Sequence, residues 1–388
     1  MKKTSAILAI ILFVMAGGIG CKPSNTQSDD LITVDVTKNY PDKELILQDF
    51  MDVEYIALET SDEFLTQGIV EAIGKEFILV RNLSDGDIFI FDRAGKGLRK
   101  INRFGQSGEE YSQVNEIILD EDNNEMFVKD YPARKILVYD LYGNFKRSFK
   151  FIDTSYYDFT FNYDQNHLIS YRNYLPVMDN ERPEHFIISK QDGSIIREIQ
   201  IPFKEIKTPT VREEDLTITP GFYLTIPCQG NWGLVNPSSD TVYTYLPDGN
   251  LIPFIVRTPS IHSMDTEVFL FLSMLTDRYC FMYTMKKEVD FTTFKGFPTT
   301  DLVYDKQENA LFKYTIYNDD FSDKRQMSLN LNPLNHEIAT CQALEAYQLV
   351  EAYEKGQLKG ELKEIAATLD EESNSVIMLV KHKRDINN

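Results

Sequence analysis

A strand–turn–strand unit recurs along the chain, and no other feature constrains the fold as tightly. The first copy runs Phe77-Ile78-Leu79-Val80-Arg81, a loop, Asp87-Ile88-Phe89-Ile90-Phe91-Asp92, then Arg93-Ala94-Gly95-Lys96. The second runs Glu125-Met126-Phe127-Val128-Lys129-Asp130, a loop, Lys135-Ile136-Leu137-Val138-Tyr139-Asp140, then Leu141-Tyr142-Gly143-Asn144. Asp140 follows Asp92, and Gly143 follows Gly95, by the same 48 residues. Repeats of about 40–50 residues made of short strands imply a β-propeller, whose small sheets bury their faces by stacking on one another.

Period-two alternation with β-branched and aromatic residues extends from Val53 to Leu331. It divides into blades over Gln67–Asn102, Asn115–Phe151, Tyr157–Ile199, Gly221–Val256 and Val268–Tyr317. Gln191-Asp192-Gly193 and Pro247-Asp248-Gly249 supply hairpin turns within them. A sixth blade begins with strands near Gln326–Leu331 and Glu337–Cys341. The period then changes. Leu344, Tyr347, Leu349, Val350 and Tyr353 recur at helical spacing, and a second helix is expected over Leu358–Leu369 with Leu362 and Ile365 inward. After this insertion, at about residues 342–370, Ser375–Lys381 reads as a last strand. Val53–Glu59 is a strand without a partner ahead of blade one. Pairing it beside Val376–Val380 removes two open edges. The expected fold is therefore all-β: a six-bladed β-propeller closed by N- and C-terminal strands, with a C-terminal helical insertion.

The chain starts Met1-Lys2-Lys3, followed by 14 apolar or small residues from Ala6 to Ile19. That run is short for a membrane span, which needs about 20 residues. It reads as a secretory signal over residues 1–20. A polar tether is expected over residues 21–45 and the propeller over residues 46–388. Net charge is −20, which argues against a nucleic-acid partner, because phosphate binding calls for a basic surface. Cys228, Cys280 and Cys341 fit neither a zinc motif nor a disulfide framework. They are expected as buried thiols, with a Cys228–Cys280 bridge as the alternative.

Gly18-Ile19-Gly20-Cys21 resembles the lipobox of bacterial lipoproteins, which implies lipidation at Cys21. Five segments resemble the six-bladed β-propeller lipoproteins of gut Bacteroidetes: Val53–Leu65 (VEYIALETSDEFL), Phe104–Tyr111 (FGQSGEEY), Asp240–Tyr243 (DTVY), Asp301–Lys306 (DLVYDK) and the tail from Leu362 to Lys381. Where that family has Gly-Gln-Gly-Pro-Gly-Glu-Tyr, this chain has Gly105-Gln106-Ser107-Gly108-Glu109-Glu110-Tyr111. The resemblance implies a propeller anchored in the cell envelope, as an outer-membrane lipoprotein, and carries no known reaction.

In alternating sheets, the loops between second and third strands share a face with the loops that join blades. Arg103, Glu110, Tyr111, Tyr131, Arg134, Tyr171, Arg172, Tyr174 and Arg182 fall in such loops and are the expected ligand-binding residues. Aromatic faces and fixed donors suit a glycan or a peptide. Asp120-Glu121-Asp122-Asn123-Asn124-Glu125 lacks the glycine and the final bidentate glutamate of a calcium loop, so a hairpin turn is expected. The five histidines lack paired metal spacing, and no nucleophile elbow or phosphate loop is present. No catalytic residue, metal or cofactor is expected. The leading reading is a non-enzymatic envelope binding or scaffold propeller whose ligand is a glycan, a peptide or a partner protein. The alternative is a propeller hydrolase or lyase acting on glycans or peptides, for which two inward carboxylates at the ring centre, or a histidine with a carboxylate, would be the sign.

Overall fold

The computed structural model describes residues 31–151, 157–172, 184–293, 295–329 and 332–383. Five blades are antiparallel four-stranded sheets. Blade one comprises Ile69–Ile73, Phe77–Arg81, Asp87–Asp92 and Gly97–Asn102, and blade two comprises Glu116–Asp120, Glu125–Asp130, Lys135–Asp140 and Phe145–Lys150. Blade three comprises Tyr157–Asn162, His167–Arg172, Glu184–Ser189 and Ile195–Ile199. Blade four comprises Thr225–Cys228, Asn231–Leu234, Thr241–Tyr245 and Leu251–Thr258. Blade five comprises Val268–Leu275, Tyr279–Lys286, Thr299–Asp305 and Ala310–Asn318.

The repeated Asp-x-x-Gly segment is the turn between a blade's third and fourth strands. Asp92 Oδ1 accepts hydrogen bonds of 2.9 Å from the Ala94 and Lys96 amides, and Asp140 Oδ1 does the same for Tyr142 and Asn144. Gly95 and Gly143 have φ of +82° and +83°. A Cβ at Gly95 would lie 2.0 Å from the Ala57 carbonyl oxygen of blade six, and one at Gly143 would lie 2.8 Å from Ile101 of blade one. Each turn thus seats against the preceding blade, and only glycine fits there. The 48-residue period is the spacing of this joint.

Blade six is built from both ends of the chain. Val376–His382 runs antiparallel between Ile338–Leu344 and Met51–Ala57, with Met51 opposite His382 and Ala57 opposite Val376. The expected pairing of the termini is present. The expected first strand is not: Arg325–Met327 pairs with Ala310–Asn318 in blade five, so blade six has three strands among the described residues. Residues Val376–Val380 are fully buried, as a strand flanked on both edges and both faces requires. Asn374 locks the seam. Its amide oxygen accepts from the Thr66 amide at 2.9 Å, and its Nδ2 donates to the Glu59 carbonyl at 2.7 Å.

Part of the segment expected as a tether, residues 21–45, is strand. Ile32–Asp35 adds a parallel strand to the outer edge of blade four, and Asp42–Ile46 adds one to blade five. Lys43 reaches the buried Asp305 at 2.7 Å, where Arg278 also donates at 2.8 Å. The N-terminal segment therefore belts blades four and five before entering blade six, covering edges that would otherwise be open. The helical insertion comprises Ala346–Glu354 and Gly360–Ala366. Its inward face is Ala346, Leu349, Ala352, Leu362 and Ala366, packed on Tyr314, Ile316 and Met378, whereas Tyr347 and Tyr353 stay exposed. Small residues let the helix lie close to the blade, and the larger tyrosines are turned away.

Truncation after Asn374 deletes five buried side chains, each contributing roughly 1.5–3 kcal/mol. That sum rivals a domain's net stability of about 5–15 kcal/mol. The truncated chain should be insoluble or unfolded by circular dichroism; a soluble product with an unchanged thermal transition would show that the ring closes in another way. Asn374→Ala, which orphans the Thr66 amide and a buried carbonyl, should cost about 1–3 kcal/mol per group in urea unfolding.

Candidate functional site: the central channel

The innermost strands of blades one, two and three line a cavity of about 1180 Å³. Its wall runs along Ile69–Gly74 of blade one, Asn115–Asp122 of blade two and Phe159–Gln165 of blade three, and it is completed by Tyr223, Trp232 and His336. Its carboxylates include Glu71 and Glu116 on the innermost strands, with Glu121, Asp122, Asp164 and Glu337 in turns between strands. Glu71 occupies a bulge, where the register slips between Val70 and Ala72. A bulge re-aims its extra side chain. Glu71 accepts from Arg81 Nε at 2.8 Å through one oxygen and from the Ile117 amide of blade two at 3.1 Å through the other. Glu116 lies directly across from Lys129. It meets the Lys129 ammonium at 2.5 Å and accepts from the Thr160 amide of blade three at 2.7 Å. The same clasp is used twice: a carboxylate binds a cation in its own blade and an amide in the next.

Two inward carboxylates are therefore present, but both oxygens of each are engaged. Burial pushes the Glu71 carboxyl above the usual carboxylate range, against the pull of the Arg81 guanidinium. A raised pKa in a cleft marks a candidate acid. Here the geometry assigns the group to joining blades, because a general acid or base needs an oxygen within reach of the substrate. Asp120 is likewise paired with Lys190 at 2.7 Å. Its neighbour Glu121 accepts from the amides of Lys75, Glu76 and Phe77. The Asp120–Glu125 segment is the expected turn, with Glu121–Asn123 as one 3₁₀ turn.

The other side of the channel is aromatic. Phe159 sits in a second bulge, between Asp158 and Phe161, and is 38% exposed. Its ring lies 4.6 Å from that of Tyr223. Trp232, the chain's single tryptophan, stands edge-on to His336 at 4.7 Å and faces Tyr163 at 6.3 Å. The Gly230 amide donates to His336 Nδ1 at 3.3 Å, so the imidazole proton lies on Nε2. Burial pushes the His336 imidazole down to about 4, and it is neutral at physiological pH.

Of the nine expected ligand residues, Tyr131 lies on the cavity wall. Tyr111 is fully buried and donates to the Gly86 carbonyl at 2.7 Å, and its oxygen accepts from the Arg103 amide. Arg103 Nε donates to the Gly143 carbonyl at 2.8 Å, and Glu110 holds its own loop through the Ser107 amide. Tyr171 is buried against His185, Arg172 meets Glu198 at 3.8 Å, and Arg134 caps a turn at φ +53°. These side chains pack and brace the loops. Tyr174 and Arg182 lie outside the described residues. The residues that sequence reading missed, Glu71 and Glu116, are 45 residues apart, each in a first strand and each followed by a basic residue closing or within the second strand. That spacing was the available signal. Cys228 and Cys280 are buried free thiols.

Glu71→Ala would strand the Arg81 guanidinium and the Ile117 amide, and should lower stability by about 3–5 kcal/mol in urea unfolding. Unchanged stability would show that the clasp is not holding blades one and two. The buried imidazoles give a pH signature. The fully buried His185, like His336, is pushed down to about 4 from 6.5 by burial. The unfolded chain then binds more protons than the folded one between those values, so stability is complete above pH 6.5 and falls as pH drops towards 4. The loss should be roughly 3 kcal/mol for His185. His185→Gln should flatten the slope of unfolding free energy between pH 7 and 4; an unaltered slope would contradict this.

A family model described as 6-bladed beta-propeller matches residues 23–333. No curated protein sequence matches the chain. Among solved structures, a protein described as exported from Bacteroides fragilis NCTC 9343 aligns with a TM-score of 0.55 at 14% identity, covering 91% of this chain and 99% of that one. A member of the duf4221 family from Bacteroides vulgatus ATCC 8482 aligns at 0.45 and 10% identity, over 87% and 98%. Virginiamycin B lyase from Staphylococcus aureus aligns at 0.40 and 9% identity, over 86% and 100%. At such identities the likeness is one of fold. The family match spans most of the chain: the chain belongs to the 6-bladed beta-propeller family.

Proposed function

We propose that the mature chain is a non-enzymatic binding propeller of the cell envelope, carried on a lipid at Cys21, whose ligand occupies the central channel. One observation carries the reading: the channel is large enough for a ligand and walled by aromatic rings, while Glu71, Glu116 and Asp120 on its innermost strands are committed to joining blades. Along those strands the site offers stacking faces and fixed dipoles, and its carboxylates there are not free to exchange a proton with a substrate. The ligand is a glycan, a peptide or a segment of a partner protein.

The envelope placement rests on the signal-like start and on Gly18-Ile19-Gly20-Cys21, which lie outside the described residues. Among the described residues no helix is long and apolar enough to cross a membrane. The fold neighbour described as exported is in keeping with secretion. Residues 1–20 are then the signal, residues 21–30 the tether, and the propeller begins at the belt.

Two measurements test this reading. Cys21→Ala should move the protein from membranes to the soluble fraction, and the wild-type N-terminal peptide should carry an acyl mass; full membrane retention by the variant without that mass would contradict the anchor. Glycan-array and peptide-library hits should change Trp232 emission, which the Trp232→Phe variant should abolish. Hits that bind equally well without moving Trp232 emission would place the site elsewhere.

A further inference from the structure

We infer that the channel takes an unbranched, uncharged oligosaccharide lying along its axis. This rests on the channel being the ligand site and names the class of ligand. The lining residues follow the innermost strands from one end to the other: Ile69 to Gly74 in blade one, Asn115 to Asp122 in blade two, Phe159 to Gln165 in blade three. The cavity is therefore an elongated passage. At about 3.3 Å per residue its length is roughly 20 Å, which gives the cavity of about 1180 Å³ a mean section of roughly 60 Å². A linear chain fits such a passage end to end.

A peptide would be held chiefly by continuing an exposed strand edge. That option is narrowed on the channel side, where four backbone groups are already taken by side chains. The Ile117 amide is taken by Glu71 and the Thr160 amide by Glu116. The Leu119 carbonyl accepts from Asn162 and the Ile73 carbonyl from Asn335. An extended peptide would meet side chains where it needs backbone. Charged ligands face a different obstacle. Along the innermost strands Glu71–Arg81, Glu116–Lys129 and Asp120–Lys190 are mutually neutralised, so an ionic ligand lying there would have to break a buried pair and leave one member alone; the wall's other charges, such as Lys75, Arg93, Asp122, Asp164 and Glu337, lie in the turns between strands.

What the wall still offers is ring surface. Phe159 is more than a third exposed beside the buried Thr160 and Phe161, and Tyr223 lies against it. Tyr131 and Tyr163 add partly buried rings along the same wall. The C–H face of a pyranose stacks on such rings, and its hydroxyls hydrogen-bond to amides and to already paired ions without disturbing their charge.

The test titrates Trp232 emission of the purified full chain with neutral glucan, mannan and xylan ladders of two, four and six units. Uronate ladders and extended hexapeptides serve as the competing classes. At least one neutral ladder should bind, with affinity rising about tenfold from two to six units as further subsites fill. Phe159→Ala should weaken the longest member by roughly three- to tenfold, and Phe159→Tyr should restore it. Response to uronates or peptides alone would overturn the neutral-sugar inference while leaving the channel as the ligand site. A disaccharide binding as tightly as the hexamer would overturn the lengthwise placement. Silence towards every class, with glycan-array and peptide-library hits bound elsewhere, would overturn the inference and the channel reading together.

Discussion

The whole ring depends on one seam, where a strand from each end of the chain meets in blade six. Met51–Ala57 and Ile338–Leu344 have no common sheet without Val376–His382 between them. Each other blade folds from contiguous sequence and closes locally. Blade six alone requires residues more than 300 apart, and the loop-closure cost of that contact grows only slowly with length. The belt extends the same logic outward. By the time the chain reaches Met51 it has already paired with blades four and five, so the closing strand arrives held in place. The Tyr55 hydroxyl, bonded to Asp320 at 2.8 Å and accepting from Asn318 at 2.8 Å, ties that strand to blade five.

A closed ring leaves a channel, and a channel lined by strand edges has unpaired backbone groups to satisfy. Glu71 and Glu116 meet that need between adjacent blades, each with a basic partner that offsets its desolvation. The chain thereby keeps an open passage without filling it with apolar side chains. The arrangement also bears on function. Carboxylates in a propeller channel invite an acid–base interpretation, yet Glu71 and Glu116 are engaged in joining blades, which leaves aromatic faces and fixed dipoles along the strands.

The fold was legible because its joints are local. Asp92, Gly95, Asp140 and Gly143 each satisfy a four-residue turn, and such turns write a period into the sequence whatever surrounds them. The helical insertion was legible from its spacing, although its inward face is carried by Ala346, Leu349 and Ala352, whose small size matters only beside a blade. The belt was not legible, since Ile32–Asp35 and Asp42–Ile46 are short and stabilised by edges that sequence does not reveal. The channel was partly hidden for the same reason. Tyr111 reads as a loop aromatic but reaches back to the Gly86 carbonyl, and only the pairing of Glu71 with a neighbouring blade shows which glutamates face the axis.

Native-state hydrogen exchange tests the central claim most directly, because closure by the termini makes the seam part of the last structure to open. The amides of Val53–Ala57 and Val376–Val380 should exchange only through global unfolding, with the same free energy as the core strand Glu125–Asp130 of blade two. Exchange of the seam at a distinctly lower free energy, with blades one to five still protected, would show that the ring stands without it.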